Sequence, residues 1–341
     1  MTSIQATPNS VRPLLQMLAV SVRLPIGRSM RSIINEVSLE IREGESVGLV
    51  GESGAGKSMT ARAIIRLLPA DAEVDGQIWF EDRLITSMKR SELREFRAKR
   101  VAMIFQDPVA HTNPVRRIGD FVTEALRTNL GFSEAEARER AIALLTEVRI
   151  PNPERCLSQF PHELSGGLLQ RVMIAAALAP NPRLLLADEP TTALDVTTQA
   201  EVMAILEGLR IDRGLAMLFI THDLNLAAAT CDRTIVMYAG VIVEEQASAL
   251  LHSDPLHPYS AGLVRSRPDV SESAAQLAAI PGRPLSSSEA PPGCVFTSRC
   301  EYVEAECRQA RPPLREFAGG RVACRRAEEL RGLLRKARED A

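Results

Sequence analysis

No apolar run in the chain approaches the ~18 residues that a membrane-spanning helix needs. The longest runs, around 172–179 and 235–243, have the length of core segments. There is no basic field either: 41 Lys and Arg stand against 43 Asp and Glu, for a formal charge of −2. That excludes the positive surface expected of a nucleic-acid-binding protein. The N-terminus lacks a basic start followed by an apolar stretch, so no secretory leader is expected. Aromatic residues are few, and no Phe, Tyr or Trp precedes Trp79. What remains is the composition of a soluble, cytoplasmic globular protein, 45% hydrophobic and 25% charged. At 341 residues it exceeds one ordinary core, so one large and one small unit are expected.

Residues 1–13 are polar and contain Pro, as a loose tail would. Over 14–50, β-branched runs alternate with turns and predict antiparallel strands. Further on, strands are expected at 77–80, 101–105, 184–187 and 215–220. Helices are expected at 59–68, 91–100, over 118–150, from just after Gly167 to Ala179, and at 197–209. Ser133 and Glu136 form a capping box that opens the stretch to Val148, and Pro151 with Pro153 stops it. Alternating buried strands and helices predict a parallel sheet covered on both faces. From about Leu256 Pro becomes frequent and periodicity weakens. The division expected is a tail at 1–13, a large domain at 14–252 and an extension at 253–341.

The run GESGAGKS, residues 51–58, carries the most chemistry. It lies between an apolar strand and a helix, the order a phosphate-binding loop requires. Gly51, Gly54 and Gly56 let the backbone curl so that the N–H groups of the loop, including Glu52, Ser53 and Ala55, face phosphate oxygens. The next helix presents the positive end of its dipole to the same anion. Lys57 is placed to reach the β- and γ-phosphates and Ser58 to ligate magnesium. The strand at 184–187 ends in Asp188 and Glu189. The first carboxylate suits the magnesium, and the second can polarise an attacking water.

Four further motifs accompany these: FQDP at 105–108, LSGGLLQ at 164–170, TALD at 192–195 and THD at 221–223. With them, residues 14–250 resemble the ATP-binding subunits of ABC transporters. The resemblance implies an α/β, P-loop ATPase domain with antiparallel β and helical subdomains, plus a small Cys-containing C-terminal extension. It implies ATP and Mg²⁺ as cofactors, with residues 51–58 as the Walker A loop. Asp188 resembles the Walker B acid and Glu189 the catalytic base. Gln106 resembles the glutamine that senses γ-phosphate, meets magnesium and touches the transmembrane partner. His222 resembles the switch histidine and Asp195 the acid facing the opposite subunit. Ser165, Gly166 and Gly167 resemble the signature motif, whose helix N-terminus meets the γ-phosphate held by the other chain. One phosphate loop and one signature per chain therefore imply a pair of chains. Two departures stand out. No aromatic residue precedes the loop to stack on adenine, so Leu24 or a nearby Arg is the expected substitute. His111 and Thr112 stand where Ser and Leu are usual, and His111 is read as a solvated or packing residue.

The stretch 254–268 resembles the segment that follows the ATPase domain in dipeptide, oligopeptide and nickel importers, and 187–203 is close to the same wording. Four cysteines follow: five residues separate Cys294 from Cys300, six separate Cys300 from Cys307, and sixteen separate Cys307 from Cys324. Disulfides are disfavoured in a reducing cytoplasm, and the close pairs usual for zinc are absent. The importer resemblance implies a 4Fe–4S cluster on these four, with zinc or no metal as alternatives. Cys156 and Cys231 are read as structural. The class implies two transmembrane permease subunits, a second and related ATPase chain, and an extracytoplasmic substrate-binding protein. It places the chain peripherally on the cytoplasmic face of the membrane, with no nucleic acid. The rival readings are a non-transport ABC ATPase, a class that usually carries two ATP domains or a long coiled-coil insert, and an iron- or redox-responsive ATPase.

Overall fold

Two sheets divide the work in the computed structural model, which describes residues 12–192, 194–266 and 280–339. Residues 1–11 of the expected tail, Ala193 of the TALD motif and residues 267–268 of the importer-like segment lie outside the described residues.

The first sheet is antiparallel. β1 (Leu15–Ile26) pairs with β2 (Ser29–Ile41) on one side. On the other it pairs with β4 (Glu73–Phe80), to which β5 (Arg83–Leu84) adds. The expected strand at 77–80 is the last part of β4; the register continues back to Glu73 opposite Arg23. Leu15, Met17, Val20 and Val22 of β1 and Ile34 of β2 are all fully buried.

The second sheet carries the parallel core. β3 (Ser46–Val50) lies between β9 (Arg233–Tyr238) and β8 (Ala216–Thr221), followed by β7 (Leu184–Asp188) and β6 (Val101–Ile104). Every residue of β3, β7 and β8 is buried, as strands covered on both faces require. β10 (Val241–Ala247) joins antiparallel to β9. Beyond it lie β12 (Gly320–Val322) and β11 (Arg315–Phe317), so the C-terminal extension adds strands to the edge of the main sheet.

Helix α1 (Lys57–Ile64) starts two residues earlier and ends sooner than the expected 59–68. Gly56, at φ 102°, is its N-cap, so Lys57 and Ser58 already belong to the first turn, and Arg66 turns the chain away with φ 51°. α2 (Arg90–Lys99) precedes β6. The stretch expected as helical over 118–150 is two helices, α3 (Ile118–Leu130) and α4 (Glu134–Glu147). Gly131 at φ 74° breaks them apart, with Phe132 N–H closing onto Leu126 O at 3.2 Å. The Ser133–Glu136 capping box opens α4: Ser133 N–H donates to Glu136 Oε2 at 2.8 Å, and Glu136 N–H to Ser133 Oγ at 3.3 Å. α5 (Pro153–Ser158) and α6 (Gly166–Leu178) complete the helical layer, which shares a buried cluster with α7 (Val196–Arg213). Cys156 is buried in that cluster and Cys231 at its edge, both structural as expected.

After α8 (Leu224–Thr230), helix α9 (Ser248–Ser253) runs across the expected 252/253 division, and α10 (Pro258–Arg265) follows. Tyr259 from α10 and Val295 and Phe296 from the extension share a cluster with Val50 of β3 and Tyr238 of β9. Two of the chain's three tyrosines meet Phe296 here, with ring centroids 4.6–5.3 Å apart. α11 (Ala327–Glu339) packs its Leu330 and Leu334 against Ala261 of α10. Among the described residues no helix is long and apolar enough to cross a membrane.

Candidate functional site

The parallel strands deliver their functional residues at their carboxyl ends, where ligands bind in open α/β sheets. Residues 51–56 leave β3 and curl into α1. At Gly51 (φ 155°) a Cβ would lie 2.1 Å from Met237 O, so only glycine passes. Lys57 reaches back across the loop, its Nζ donating to Gly51 O at 2.7 Å and Glu52 O at 3.1 Å. Burial lowers its pKa; Glu189, Asp188 and Glu52 oppose that effect.

Ser58 at the start of α1 and Asp188 at the end of β7 meet directly, Ser58 Oγ donating to Asp188 Oδ1 at 2.8 Å. Burial raises the Asp188 pKa, against the pull of the Ser58 hydrogen bond. The two hard oxygens, side by side and next to the phosphate loop, are the donor set that magnesium takes in nucleotide sites.

Glu189 follows at φ 47°, its N–H held by Ile220 O at 3.0 Å. The left-handed turn swings its carboxylate away from β7, and three groups meet Oε2. Gln106 Nε2 donates at 3.0 Å, Thr192 Oγ1 donates at 2.8 Å, and His222 Nδ1 lies at 3.5 Å. Thr192 was absent from the expected site set; its position in the TALD run was the only available signal. Gln106, Glu189 and His222 line one cleft of about 860 Å³ together with residues 51–59, and Asp188 and Thr192 reach it through Ser58 and Glu189.

The cleft also has walls that the sequence did not reveal. Ile26 and Ile33 line one part, and Leu263, Pro284 and Ser286–Ser288 line another. The expected Leu24 contact is corrected: Leu24 is not among the cleft-lining residues and packs, partly buried, against the main core cluster, while Ile26 and Ile33 take the place at the cleft. His111 stacks on Phe105 with centroids 4.2 Å apart, and its Nδ1 lies 2.8 Å from Asp107 O, a packing role as expected. Thr112 is buried and donates to Pro108 O at 3.0 Å.

Ser165, Gly166 and Gly167 lie outside this cleft. Ser165 caps α6, accepting from Leu168 N–H at 3.4 Å, and is exposed with Gly166. Asp195 caps α7 in the same way, accepting from Thr198 N–H at 3.0 Å. Both helix starts are presented outward beside one another.

Cys294, Cys300, Cys307 and Cys324 line a second, smaller cavity together with His257 and Phe296. Burial pushes Cys300 up to about 11 and Cys324 up to about 12, and raises Cys294. Among the described residues no group of three or more His, Cys, Asp or Glu is arranged to hold a metal ion. The four thiols share this cavity, but no arrangement of them supports the expected 4Fe–4S centre or its zinc alternative.

Comparison with known proteins agrees with the geometry. Residues 34–192 match the ABC transporter family, and 243–307 match the oligopeptide/dipeptide transporter C-terminal region. The oligopeptide transport ATP-binding protein OppD of Salmonella typhimurium is 40% identical over 96% of this chain and 98% of its own length. A probable peptide ABC transporter ATP-binding protein of Sinorhizobium fredii is 44% identical over 89% of this chain and 91% of its own. The ATP-binding cassette MJ0796, solved as a dimer bound to ADP and Pi, superposes with TM-score 0.62 at 30% identity. That match covers 69% of this chain and 98% of the cassette. The chain therefore belongs to the ABC transporter ATP-binding proteins and carries the C-terminal region of their oligopeptide/dipeptide branch.

Proposed function

We propose that the chain is the ATPase subunit that powers a peptide importer. The observation that carries the chemistry is the convergence of Gln106, Thr192 and His222 on the Glu189 carboxylate, beside the Ser58–Asp188 pair. In this reading residues 51–58 cradle the phosphates, with Lys57 moving from its own loop carbonyls onto phosphate oxygens. Ser58 and Asp188 would hold magnesium, with Gln106 joining them from the facing loop; the ion supplies charge neutralisation at the phosphates. Glu189 takes the proton from the attacking water. Gln106 and His222 hold its carboxylate toward the reacting phosphate. Ile26 and Ile33 of the first sheet take the base, filling with aliphatic contact the place of the missing aromatic ring.

Ser165, Gly166 and Gly167 act on the nucleotide of a second chain, since their helix start faces outward and lies apart from the cleft. Val196, 84% exposed next to Asp195, supports the same buried-on-pairing surface. The second chain is a related, non-identical ATPase. Two permease subunits dock near Gln106, where Val109 and Val115 are 67% and 78% exposed. A binding protein outside the membrane delivers the peptide, and the ATPase sits peripherally on the cytoplasmic face.

The four cysteines hold a 4Fe–4S cluster in this reading. What supports it is that the four share one cavity, and that four thiolates at loop-like spacing suit such a cluster, one to each iron, better than they suit zinc, for which close pairs are usual. The importer reading is tested by purifying the tagged chain from membranes in detergent. Two permeases should accompany it, and ATP hydrolysis in proteoliposomes should rise when peptide-loaded binding protein is added. A chain that purifies without permeases, or hydrolysis indifferent to peptide, would exclude it.

A further inference from the structure

The second residue of the phosphate loop, Glu52, has both its N–H and its carboxylate held from the C-terminal part of the chain. Its N–H donates to Tyr259 Oη at 2.9 Å. Its carboxylate meets Arg299 in a two-pronged pair: Nη1 donates to Oε2 at 2.6 Å and Nη2 to Oε1 at 3.2 Å. Arg299 stands directly before Cys300 and its side chain is only 3% exposed. The guanidinium is fixed from behind, Nε donating to Pro281 O at 2.9 Å and Nη2 to Ile280 O at 3.3 Å. The Tyr238 hydroxyl lies at 3.5 Å from Nη1. The fork is thus directed at one carboxylate and braced by two carbonyls and a tyrosine hydroxyl.

That carboxylate is in an awkward place for anion binding. Glu52 lines the nucleotide cleft and keeps a quarter of its side chain exposed. Unpaired, it would repel the polyphosphate and compete for Lys57, whose ammonium it already influences. A rigid planar cation with bidentate geometry both neutralises the acid and fixes its direction, a task for which Lys is a poor substitute.

We infer that Arg299 is a positioning residue for ATP: by clamping Glu52 it holds the first turn of the phosphate loop open to phosphate, so the cysteine-bearing lobe sets nucleotide affinity. The inference rests on the ATPase reading of the cleft. It adds to that reading a partner for Glu52 from 247 residues further along the chain.

The test is the Kd for Mg–ATP of the full-length chain, measured with a fluorescent ATP analogue and by competition with ATP. Arg299→Ala should raise Kd about 10-fold, and Arg299→Lys about 3-fold. The Glu52→Gln/Arg299→Ala double variant should return Kd to within about 3-fold of wild type, because the repelling charge has gone with its partner. The deficit of Arg299→Ala should shrink as salt is raised. A role in packing alone would produce neither the rescue nor the salt effect. If Arg299→Ala does not fold, Arg299→Lys, with and without Glu52→Gln, carries the same comparison. Unchanged Kd in the single variants, or loss that Glu52→Gln does not repair, overturns the proposal alone. Failure of the wild-type chain to bind ATP overturns the ATPase reading and this inference with it.

Discussion

The nucleotide cleft and the cysteine lobe are built by opposite means. In the cleft, each functional group stands at the end of a regular element: Lys57 and Ser58 open α1, Asp188 ends β7, and His222 follows β8. In the lobe, Cys307 sits in a short 3₁₀ segment (Ala305–Arg308), and Cys294, Cys300 and Cys324 lie on backbone outside any helix or strand. A site on strand ends is held by a sheet that buries every residue of β3, β7 and β8. The lobe owns only small clusters, around Leu256 with Val322 and around Ala261 with Leu330 and Leu334. It borrows the rest of its core from β3 and β9 through Tyr259 and Phe296. Damage in the cleft should therefore remove chemistry and leave the fold, while damage in the lobe should loosen the fold first.

Glu189→Gln gives the largest expected effect. The amide keeps the shape and a carbonyl oxygen for Thr192, but it cannot take a proton from water. Turnover of the assembled transporter should fall by about 10²-fold or more while ATP still binds and the thermal midpoint is held. Gln106→Ala belongs beside it: ATP affinity should change little, and the response of hydrolysis to loaded binding protein should weaken. Near wild-type turnover of Glu189→Gln would show that the carboxylate only positions Gln106 and His222.

The lobe should respond in the other way. Anaerobically purified chain should be brown, with about four iron and four sulfide per chain. Ser at any of Cys294, Cys300, Cys307 or Cys324 should bleach it and expose the region after Pro281 to protease, since ligand binding contributes directly to folding of so small a core. Cys156→Ser and Cys231→Ser should do neither, since both lie in the helical cluster away from the lobe. Colourless protein carrying stoichiometric zinc would replace the cluster and keep the comparison; a metal-free lobe that resists protease would break it.

How far each region was legible follows from the same contrast. The phosphate loop, the Asp188–Glu189 strand end and the THD turn are local patterns, and local patterns survive translation into structure. The capping box at Ser133 did so for the same reason. That box already marks the start of α4 at Ser133; what the sequence did not single out is Gly131, whose positive φ ends α3 two residues earlier. The contacts that join lobe to cleft were invisible for a different reason. Arg299 and Glu52 are an ordinary cation and an ordinary acid in the sequence. Only the packing of Phe296 under Tyr238 and Tyr259 brings them together. Pro284 and Ser286–Ser288 reach the cleft by the same route, so a composition reading of the extension as a separate unit could not foresee them.

Between the two regions lies Glu244 on β10, fully buried, and it offers a smaller and more specific test. Its Oε1 accepts from Leu256 N–H at 2.9 Å and from Gln246 Nε2 at 2.8 Å, and its Oε2 accepts from His257 N–H at 2.8 Å. Burial, against these hydrogen bonds, raises its pKa to about 7. An unfolded Glu releases its proton near 4.3. Between those values the native state holds a proton that the unfolded chain has lost, so this group's contribution is present at low pH and disappears as pH rises through about 7. The change amounts to about 4 kcal/mol over the window. Glu244→Gln removes this titration. Urea midpoints measured from pH 5 to pH 8 should therefore converge differently: relative to wild type, the variant gains stability as pH rises. Parallel pH profiles would mean that Glu244 stays ionised and that its two backbone donors hold the joint unaided.

The smallest expected effect concerns the outward helix starts, which belong to neither region within one chain. Gly167 of α6 packs so closely on α7 that a Cβ there would lie 2.4 Å from Thr198 Cγ2. The neighbour is a β-branched methyl in the first turn of α7, and Thr198 is tied to Asp195 by hydrogen bonds at 2.6 Å and 3.0 Å. It cannot swing aside without loosening that cap. Gly167→Ala should cost about 1–2 kcal/mol through this overlap, partly offset by the better helix propensity of Ala. Thr198→Ser removes the methyl and keeps the hydroxyl that Asp195 holds. The double variant should thus recover most of the loss in thermal midpoint. The comparison is sharpened by what happens to binding: Mg–ATP affinity of a single chain should stay as it was, because Gly167 does not line its own cleft. ATP-dependent pairing, followed by size-exclusion chromatography of the Glu189→Gln background, should weaken in Gly167→Ala and return with Thr198→Ser. Loss of single-chain ATP affinity in Gly167→Ala would instead mean that the α6–α7 contact supports the Glu189 turn from beneath, and that the outward surface is an extension of the cleft.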